Sequence, residues 1–306
     1  MATLARVYLQ LSPCPAMTPQ GMNADLPRRA AAGHTTLLTS GTACRIQEDM
    51  SKPQLLKILE QVATGGLKPE NALELLGTQT VRDTLHGLAL DSQRALRTSL
   101  SEVVLAQGKS DAALLAAVEG LSHHGPVLVS RVNPLQAALL EERFSAGSYW
   151  PDARLFALGG SAKFARAVQA PWPQEGEVMI VTAGAADITV ALEAFYCLAF
   201  WDKNCGLVSD VGVAGLGRLT PHVEALRKAK IIIAVAGMEG ALPGVLAGLV
   251  SCPVLAVPTS VGYGIGTGGF AALLTMLSTC VPGVATLNID NGFGAAAFAA
   301  KLLNKR

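Results

Sequence analysis

The chain has 306 residues, half of them hydrophobic and 15% charged, so it can bury a large core and does not have the composition of a disordered protein. Its 24 basic and 23 acidic residues give a formal net charge of +1, which provides no electrostatic attraction to nucleic acid or to an anionic membrane. Every apolar stretch is interrupted before the roughly 18 residues that a membrane span needs, so no transmembrane helix is predicted.

The six cysteines form no CxxC pair and no zinc-binding spacing. This pattern favours a reduced, intracellular protein without a metal site.

Residues 1–50 differ from the rest of the chain. The first 47 contain four arginines, many hydroxyl side chains and a single acid, Asp25, and they lack the continuous apolar run of a secretory signal. This composition fits an organellar transit peptide, for a mitochondrion or a plastid. A disordered extension, or a start codon placed too early upstream of Met50 in a cytoplasmic protein, are the alternatives. In each case we exclude residues 1–50 from the fold.

Residues 51–174 are predicted to form a small, mainly helical and linking region. A helical apolar period ends at Gly65 and Gly66, and Pro69 opens a second helix. The charged segment that follows, 88–109, has no strand signal of its own. A short strand is predicted over 126–131, followed by a helix over 135–143.

Residues 175–306 have a regular rhythm that predicts an α/β domain. Continuous apolar runs alternate with helix-length segments, as expected for parallel strands joined by crossover helices. Because the runs are continuous rather than alternating, both faces of the strands are expected to be covered. The fold class is therefore α/β with a doubly wound parallel sheet. The runs are 179–183, 206–211, 231–236, 254–258 and 284–289.

Ligands of such sheets bind at the carboxyl ends of the strands, and here those ends are rich in glycine. Glycine lets a backbone approach a ligand closely, and amides at a helix start can hold a phosphate. A nucleotide-like anionic ligand is predicted, although glycine at such turns also serves plain packing. The candidate ligand contacts are Gly184, Asp187, Asp210, Gly215, Arg218, Gly237, Met238, Ser260, Gly262, Tyr263, Asp290 and Asn291.

Two carboxylates stand out because residues 237–300 contain no other charge: Glu239 and Asp290. A carboxylate in so apolar a segment favours catalysis or ligand contact. Asp290 could instead form an Asx turn or cap a helix before Gly292. Glu239, placed in the first turn of a helix, could interact with the helix dipole only.

The order of these motifs resembles the LarB family, the pyridinium-3,5-biscarboxylic acid mononucleotide synthases of nickel-pincer cofactor synthesis. The resemblance covers about residues 52–304 and is carried by VAGMEGALP, VPTSVGYG and NIDNGFGAA, with a family-like amino-terminal stretch at 88–110. From residue 175 onward the chain also resembles, more distantly, the PurE family of aminoimidazole ribonucleotide carboxylases and mutases.

The resemblance implies that carbon dioxide is added to the pyridinium ring of nicotinic acid adenine dinucleotide and that the phosphoanhydride is split, releasing AMP. It implies Cys280 as the nucleophile and Glu239 as the catalytic carboxylate; packing in the core is the alternative for Cys280. No tightly bound cofactor is implied, carbon dioxide or bicarbonate is the co-substrate, and Mg²⁺ is a candidate ion. A homo-oligomer, an octamer in the related families, is implied as well.

The sequence departs from the family pattern at three positions. Ala185 and Ala186 replace a Thr-Ser pair, and Gly217 replaces a histidine before Arg218. Two alternatives therefore stay open: a PurE-type carboxylase or mutase of purine synthesis, against which Gly217 argues, and a non-catalytic nucleotide-binding relative.

Overall fold

A computed structural model describes residues 52–77, 81–83, 88–92, 94–169 and 171–304. The interpretation of residues 1–50 lies outside these ranges. Within them, no helix combines the length and the apolar character that crossing a membrane would require.

Residues 52–167 contain six helices and six short strands among the described residues. The first helix ends just before the glycine pair, and the second begins at Pro69, as the sequence predicts. The helices are α1 (Lys52–Ala63), α2 (Pro69–Gly77), α3 (Arg94–Thr98), α4 (Asp111–Ser122), α5 (Pro134–Arg143) and α6 (Ala162–Ala167), and the strands are β1 (Val81–Asp83), β2 (Leu88–Leu90), β3 (Val103–Leu105), β4 (Val127–Ser130), β5 (Gly147–Trp150) and β6 (Leu155–Leu158).

Four of these strands form a mixed sheet in the order β3-β4-β6-β5, in which only the β3–β4 pair is parallel. The predicted strand at 126–131 is its β4. The other three were not predicted, and β3 lies inside the segment that carries no strand signal. The helix after β4 begins at a capping box, in which Asn133 and Gln136 exchange side-chain hydrogen bonds with each other's backbone and Pro134 fixes the first turn.

Residues 178–304 alternate strand and helix, as the rhythm predicts. Short 3₁₀ segments lie at 185–187, 213–218, 220–222 and 264–269. The elements are β7 (Val178–Thr182), α7 (Ile188–Phe200), β8 (Cys205–Val208), α8 (Val223–Lys228), β9 (Ile231–Ala236), α9 (Leu242–Ala247), β10 (Val254–Pro258), α10 (Phe270–Leu277), β11 (Val284–Thr286) and α11 (Gly292–Asn304).

The five strands form one parallel sheet in the order β11-β10-β9-β7-β8. This confirms the doubly wound α/β prediction, with a flavodoxin-like strand order. The order reverses at β7, so the chain leaves the carboxyl ends of β7 and β9 in opposite directions. The crevice between those two ends is where a ligand of this fold is expected.

Helices cover both faces of this sheet, which explains the continuous apolar runs. Ile180 and Ile233 pack with α7 and α11 on one face, whereas Met179 and Ile232 pack with α8, α9 and α10 on the other. At about 25 cal/mol per Å² of buried apolar surface, this two-sided burial is a major source of stability.

The four-stranded sheet packs on the same core as α7. Leu128 of β4 and Leu155 of β6 belong to the cluster that contains Phe195 and Tyr196 of α7. The loop after β4 and the segment before β6 therefore lie next to the start of α7, beside the carboxyl edge of the five-stranded sheet.

Candidate active site

A cleft of about 270 Å³ opens at the reversal point between β7 and β9. Its walls are the loops after β7, β8 and β9, as expected for this sheet order. Seven of the predicted site residues line it: Gly184, Asp187, Asp210, Arg218, Gly237, Met238 and Glu239.

Asp187 forms the floor of this cleft and is only 3% exposed. One carboxylate oxygen accepts a 2.6 Å hydrogen bond from the Thr259 hydroxyl, and the other accepts a 2.9 Å bond from the Gly184 amide. Burial raises the pKa of Asp187, while these hydrogen bonds act in the opposite direction. Asp187 thus ties the loop after β7 to the loop after β10.

Asp210 and Arg218 form an ion pair at the rim of the cleft, with 2.5 Å between Nη1 and Oδ2. Both side chains are about half exposed, so solvent weakens the pair. The Asp210 amide donates to the Thr182 hydroxyl at 3.0 Å, and this bond holds the left-handed backbone of Asp210, at φ 59°, against β7. A guanidinium here can turn toward a phosphate that enters the cleft.

Glu239 lies in a turn ahead of α9, with its side chain exposed, and not in the first turn of a helix as the sequence predicts. The helix cannot begin before Gly240, because this residue adopts a left-handed conformation at φ 65°. Gly240 also packs so closely on Ala272 that a side chain there would collide. The carboxylate therefore faces the cleft without the cost of burial. It is available as a base.

Cys280 does not line the cleft that contains Glu239. It is exposed and follows α10, as predicted, and it lines a separate groove of about 460 Å³ between α9 and α10. The two cavities share Ala241. The other described cysteines fit their assignment to packing: Cys197 and Cys205 are buried in the core, and Cys252 is partly buried.

Ser260 and Asp290 line a second cavity, of about 390 Å³, next to the cleft. The Asp290 carboxylate accepts a 2.8 Å hydrogen bond from the Ser260 amide, so it joins two loops instead of capping α11. Asn291 is the residue that caps this helix, through a 2.8 Å bond from the Gly294 amide to its side chain. The helix cap that the sequence offers as an alternative role for Asp290 is therefore made by Asn291.

Gly215, Gly262 and Tyr263 line none of these three cavities. Tyr263 is 78% exposed. Gly262 is needed for packing, because a side chain there would collide with the Gly266 carbonyl.

The sequence reasoning missed Arg131, Arg154 and Glu193, which line the second cavity. The Arg131 guanidinium pairs with the buried Glu193 carboxylate at 3.2 Å, and burial raises the pKa of Glu193 although Arg131 opposes this. Two signals were available in the sequence: Arg131 ends a predicted strand, and Glu193 is a lone acid in the apolar helix α7.

The three residues that depart from the family pattern, Ala185, Ala186 and Gly217, lie at or near the cleft. Ala186 lines both the cleft and the second cavity, and Ala185 precedes it with its side chain exposed. Gly217 lies one residue before Arg218, with open space around the position of a side chain. Within the described ranges, no group of three or more His, Cys, Asp and Glu side chains could hold a metal ion.

Two protein-family models match the chain. Residues 177–306 match the AIR carboxylase model, and residues 83–160 match the model of the LarB/PurE-like N-terminal domain.

Two proteins of Methanocaldococcus jannaschii are similar to it. An uncharacterised protein is 38% identical over 227 residues, which cover 71% of this chain and 86% of the relative. An N5-carboxyaminoimidazole ribonucleotide mutase is 35% identical over 131 residues, which cover 41% of this chain and 78% of the mutase. These matches support a function of the carboxylase and mutase type. From both model matches and the length of the first relative's alignment, the chain belongs to the LarB family, with a PurE-like carboxyl-terminal domain.

Proposed function

We propose that the chain adds carbon dioxide to the pyridinium ring of nicotinic acid adenine dinucleotide and hydrolyses the phosphoanhydride, giving AMP and a pyridinium biscarboxylate mononucleotide. The observation that carries the proposal is the lining of the cleft, which includes the exposed carboxylate of Glu239. A purine-type carboxylation would use, by resemblance, an imidazole where this chain has Gly217. The N-terminal domain of the LarB type supports the same choice.

The chemistry can be assigned to two side chains. The Cys280 thiolate adds to a ring carbon, and the ring electrons that it displaces leave a neutral enamine. The enamine carbon attacks carbon dioxide, whose electron pair moves to oxygen as a new carboxylate. Glu239 takes the proton from the carboxylated carbon, and expulsion of the thiolate restores the aromatic ring.

The phosphoanhydride is cleaved by water, so that each phosphate keeps its own nucleoside. Arg218 lies at the rim of the cleft and is the candidate for contact with the phosphate of the pyridine half. Carbon dioxide or bicarbonate is the co-substrate, and no tightly bound cofactor enters the scheme.

Product analysis with labelled bicarbonate tests the proposal. With nicotinic acid adenine dinucleotide, we expect label in a non-volatile pyridinium product and one AMP for each dinucleotide consumed. A parallel assay supplies an aminoimidazole ribonucleotide instead of the dinucleotide, and label incorporated only there would replace the proposal with the purine-type reaction. Binding of the dinucleotide without any turnover would make the chain a non-catalytic relative.

We also propose that the chain self-associates, as the resemblance implies. Phe270, Leu274 and Leu277 lie on one side of α10 and are 66%, 64% and 64% exposed. Charged residues are absent from 240–289, so this face offers a second copy an uncharged apolar surface next to the Cys280 groove. Light scattering should give a multiple of 31.7 kDa for the wild type. A monomer at working concentrations would contradict this.

A further inference from the structure

The second cavity is built jointly by two parts of the chain. Gln107, Arg131 and Arg154 come from the region that matches the LarB/PurE-like N-terminal domain, and Ser260 and Asp290 come from the carboxyl edge of the parallel sheet. The AIR carboxylase model begins at residue 177, so it includes only one side of this cavity. The N-terminal domain therefore completes this second cavity, called the chamber below, which the carboxylase domain does not contain by itself.

Arg131 fixes the wall of this chamber. Its guanidinium pairs with the Glu193 carboxylate, donates a 3.2 Å hydrogen bond to Gln107 Oε1 and donates a further bond to the Asp290 carbonyl. Glu193 also accepts a 3.2 Å bond from the Phe293 amide. Since the Glu193 charge is matched by Arg131, this pair leaves the chamber without excess charge and positions the two parts of the chain.

Arg154 has a different role, because its guanidinium makes no hydrogen bond or ion pair with any residue that the structure describes. It is exposed, and it lines the same chamber. Its backbone carbonyl accepts a 2.8 Å hydrogen bond from the Val132 amide, which places it beside the fixed Arg131. A free guanidinium at the edge of a polar cavity is a site for phosphate or carboxylate.

Backbone strain is concentrated around the cleft and the second cavity. Seven described non-glycine residues have a positive φ angle, and five of them line the cleft or the second cavity: Asp210, Met238, Arg131, Arg154 and Asp290. Such conformations cost of order 1 kcal/mol or more each and accumulate at functional sites. The strain thus marks the cleft and the second cavity as one site.

The polar groups of the chamber also indicate the kind of ligand. Arg154 suits a phosphate, while the Asp290 carboxylate, which accepts one bond from Ser260, still has an oxygen that can accept from a hydroxyl. Carboxylates commonly recognise the hydroxyls of a ribose. A phosphate close to a ribose is the chemistry of a nucleotide.

We propose that this chamber binds the second, AMP half of a dinucleotide, with its phosphate on Arg154, while the cleft with Glu239 holds the half that reacts. The inference rests on the proposed function for the identity of the reacting half. Ala186 and Val261 line both cavities, so one ligand can extend from the cleft into the chamber. Binding sites for ligands of ordinary size have volumes of about 300–1,000 Å³, so the cleft alone is small for a dinucleotide.

Binding measurements on the full chain test this assignment with three probes: nicotinic acid mononucleotide, AMP and nicotinic acid adenine dinucleotide. The variants are Arg154→Gln and Arg154→Lys, and the matched control is Arg166→Gln on the exposed side of α6. Because a hydrogen bond to a charged group is lost, Arg154→Gln should weaken the binding of AMP and of the dinucleotide about tenfold. The affinity for the mononucleotide should stay within about twofold of the wild-type value. Arg154→Lys should recover part of the loss, and Arg166→Gln should lose nothing.

Unchanged binding of AMP and the dinucleotide in Arg154→Gln would overturn the inference, as would an equal loss for the mononucleotide. Activity separates this result from the proposed function. If the wild type binds AMP through Arg154 but does not carboxylate the dinucleotide, the chamber stands and the proposed reaction is wrong. If Arg154→Gln carboxylates the dinucleotide with an unchanged KM, the reaction stands and the chamber assignment is wrong.

Discussion

The hydroxyl of Thr259 donates a 2.6 Å hydrogen bond to the buried carboxylate of Asp187, and so joins the loop after β10 to the loop after β7. The second carboxylate oxygen accepts from the Gly184 amide at 2.9 Å. This one side chain therefore fixes two of the loops that shape the cleft. Its cost is the burial of a charge, which raises the pKa of Asp187.

Removing the Asp187 carboxylate should destabilise the fold. Asp187→Ala leaves a buried hydroxyl and a buried amide without their acceptor, and we expect it to lower the free energy of unfolding by about 1–3 kcal/mol. Asp187→Asn should lower the free energy of unfolding less, because its amide can donate to Thr259 while its oxygen accepts from Gly184. Urea denaturation of the three chains checks this, and equal midpoints would show that the two bonds contribute nothing.

The same carboxyl predicts a pH dependence of stability. Because the pKa of Asp187 in the folded chain lies above its ordinary value of 3.8, the folded chain keeps this proton to a higher pH than the unfolded chain. The stabilisation is complete below 3.8 and is lost as pH rises through the raised pKa. The stability of wild type relative to Asp187→Asn should therefore fall as pH rises above 3.8 and passes through the raised pKa. A relative stability that rises over this range would mean that the folded pKa is lowered.

The sequence predicts the parallel sheet well because burial on both faces leaves a continuous apolar run. β9 and β10 match their predicted bounds, 231–236 and 254–258, and β7 differs by one residue. β11 is shorter than its run, since it is an edge strand. Beyond Thr286 only single bonds, from the Leu287 and Asp290 amides to β10, continue the pairing.

The N-terminal sheet could not be predicted in the same way. Its strands have three or four residues, too few to show a period, and β5 begins at a glycine. The second cavity escaped prediction for a related reason, since Arg131 and Arg154 meet only through the pairing of β4 with β6. No local pattern records that meeting.

Glu239 should affect turnover more than affinity. Glu239→Gln keeps the shape and hydrogen-bonding capacity of the side chain but removes the base, so we expect kcat to fall by about 10²-fold or more and KM to stay within about threefold. Glu224→Gln, an exposed acid on α8, is the control and should change neither constant. A change confined to KM would make Glu239 a binding residue.

Cys280→Ser should abolish ring carboxylation and keep dinucleotide binding within about tenfold, because a hydroxyl is a far weaker nucleophile than a thiol of nearly the same size. Cys252→Ser is the matched control, since burial raises the pKa of that thiol and disfavours its thiolate. Carboxylation by Cys280→Ser would show that another group attacks the ring.

The separation of Cys280 from the Glu239 cleft leads to a complementation experiment. If one ring is attacked by the thiol of one copy and deprotonated by the carboxylate of another, co-expressed Cys280→Ser and Glu239→Gln chains should form mixed assemblies with part of the wild-type activity. Expressed alone, Cys280→Ser should be inactive and Glu239→Gln should keep only the residual activity that its lowered kcat allows. Mixed assemblies without activity would mean that both groups act from the same chain.

The last prediction concerns Ala185, Ala186 and Gly217. Ala185→Thr and Ala186→Ser place hydroxyls on exposed positions beside the cleft, and Gly217→His enters open space at a backbone angle that any residue adopts. If these positions contact the substrate, the triple variant should bind the dinucleotide more tightly or turn it over faster, by about 0.5–1.5 kcal/mol for each hydrogen bond regained. Binding and labelled-product assays on both chains measure this.

The comparison with the wild type decides what the departures mean. If the wild type does not carboxylate the dinucleotide and the triple variant does, the missing groups alone account for the lost reaction. The natural protein would then be a degenerate or redirected relative of the synthases. A fully active wild type that the substitutions do not improve would show that residues 185, 186 and 217 do not contact the substrate. Proton transfer would then rest on Glu239, the carboxylate that already lies free in the cleft.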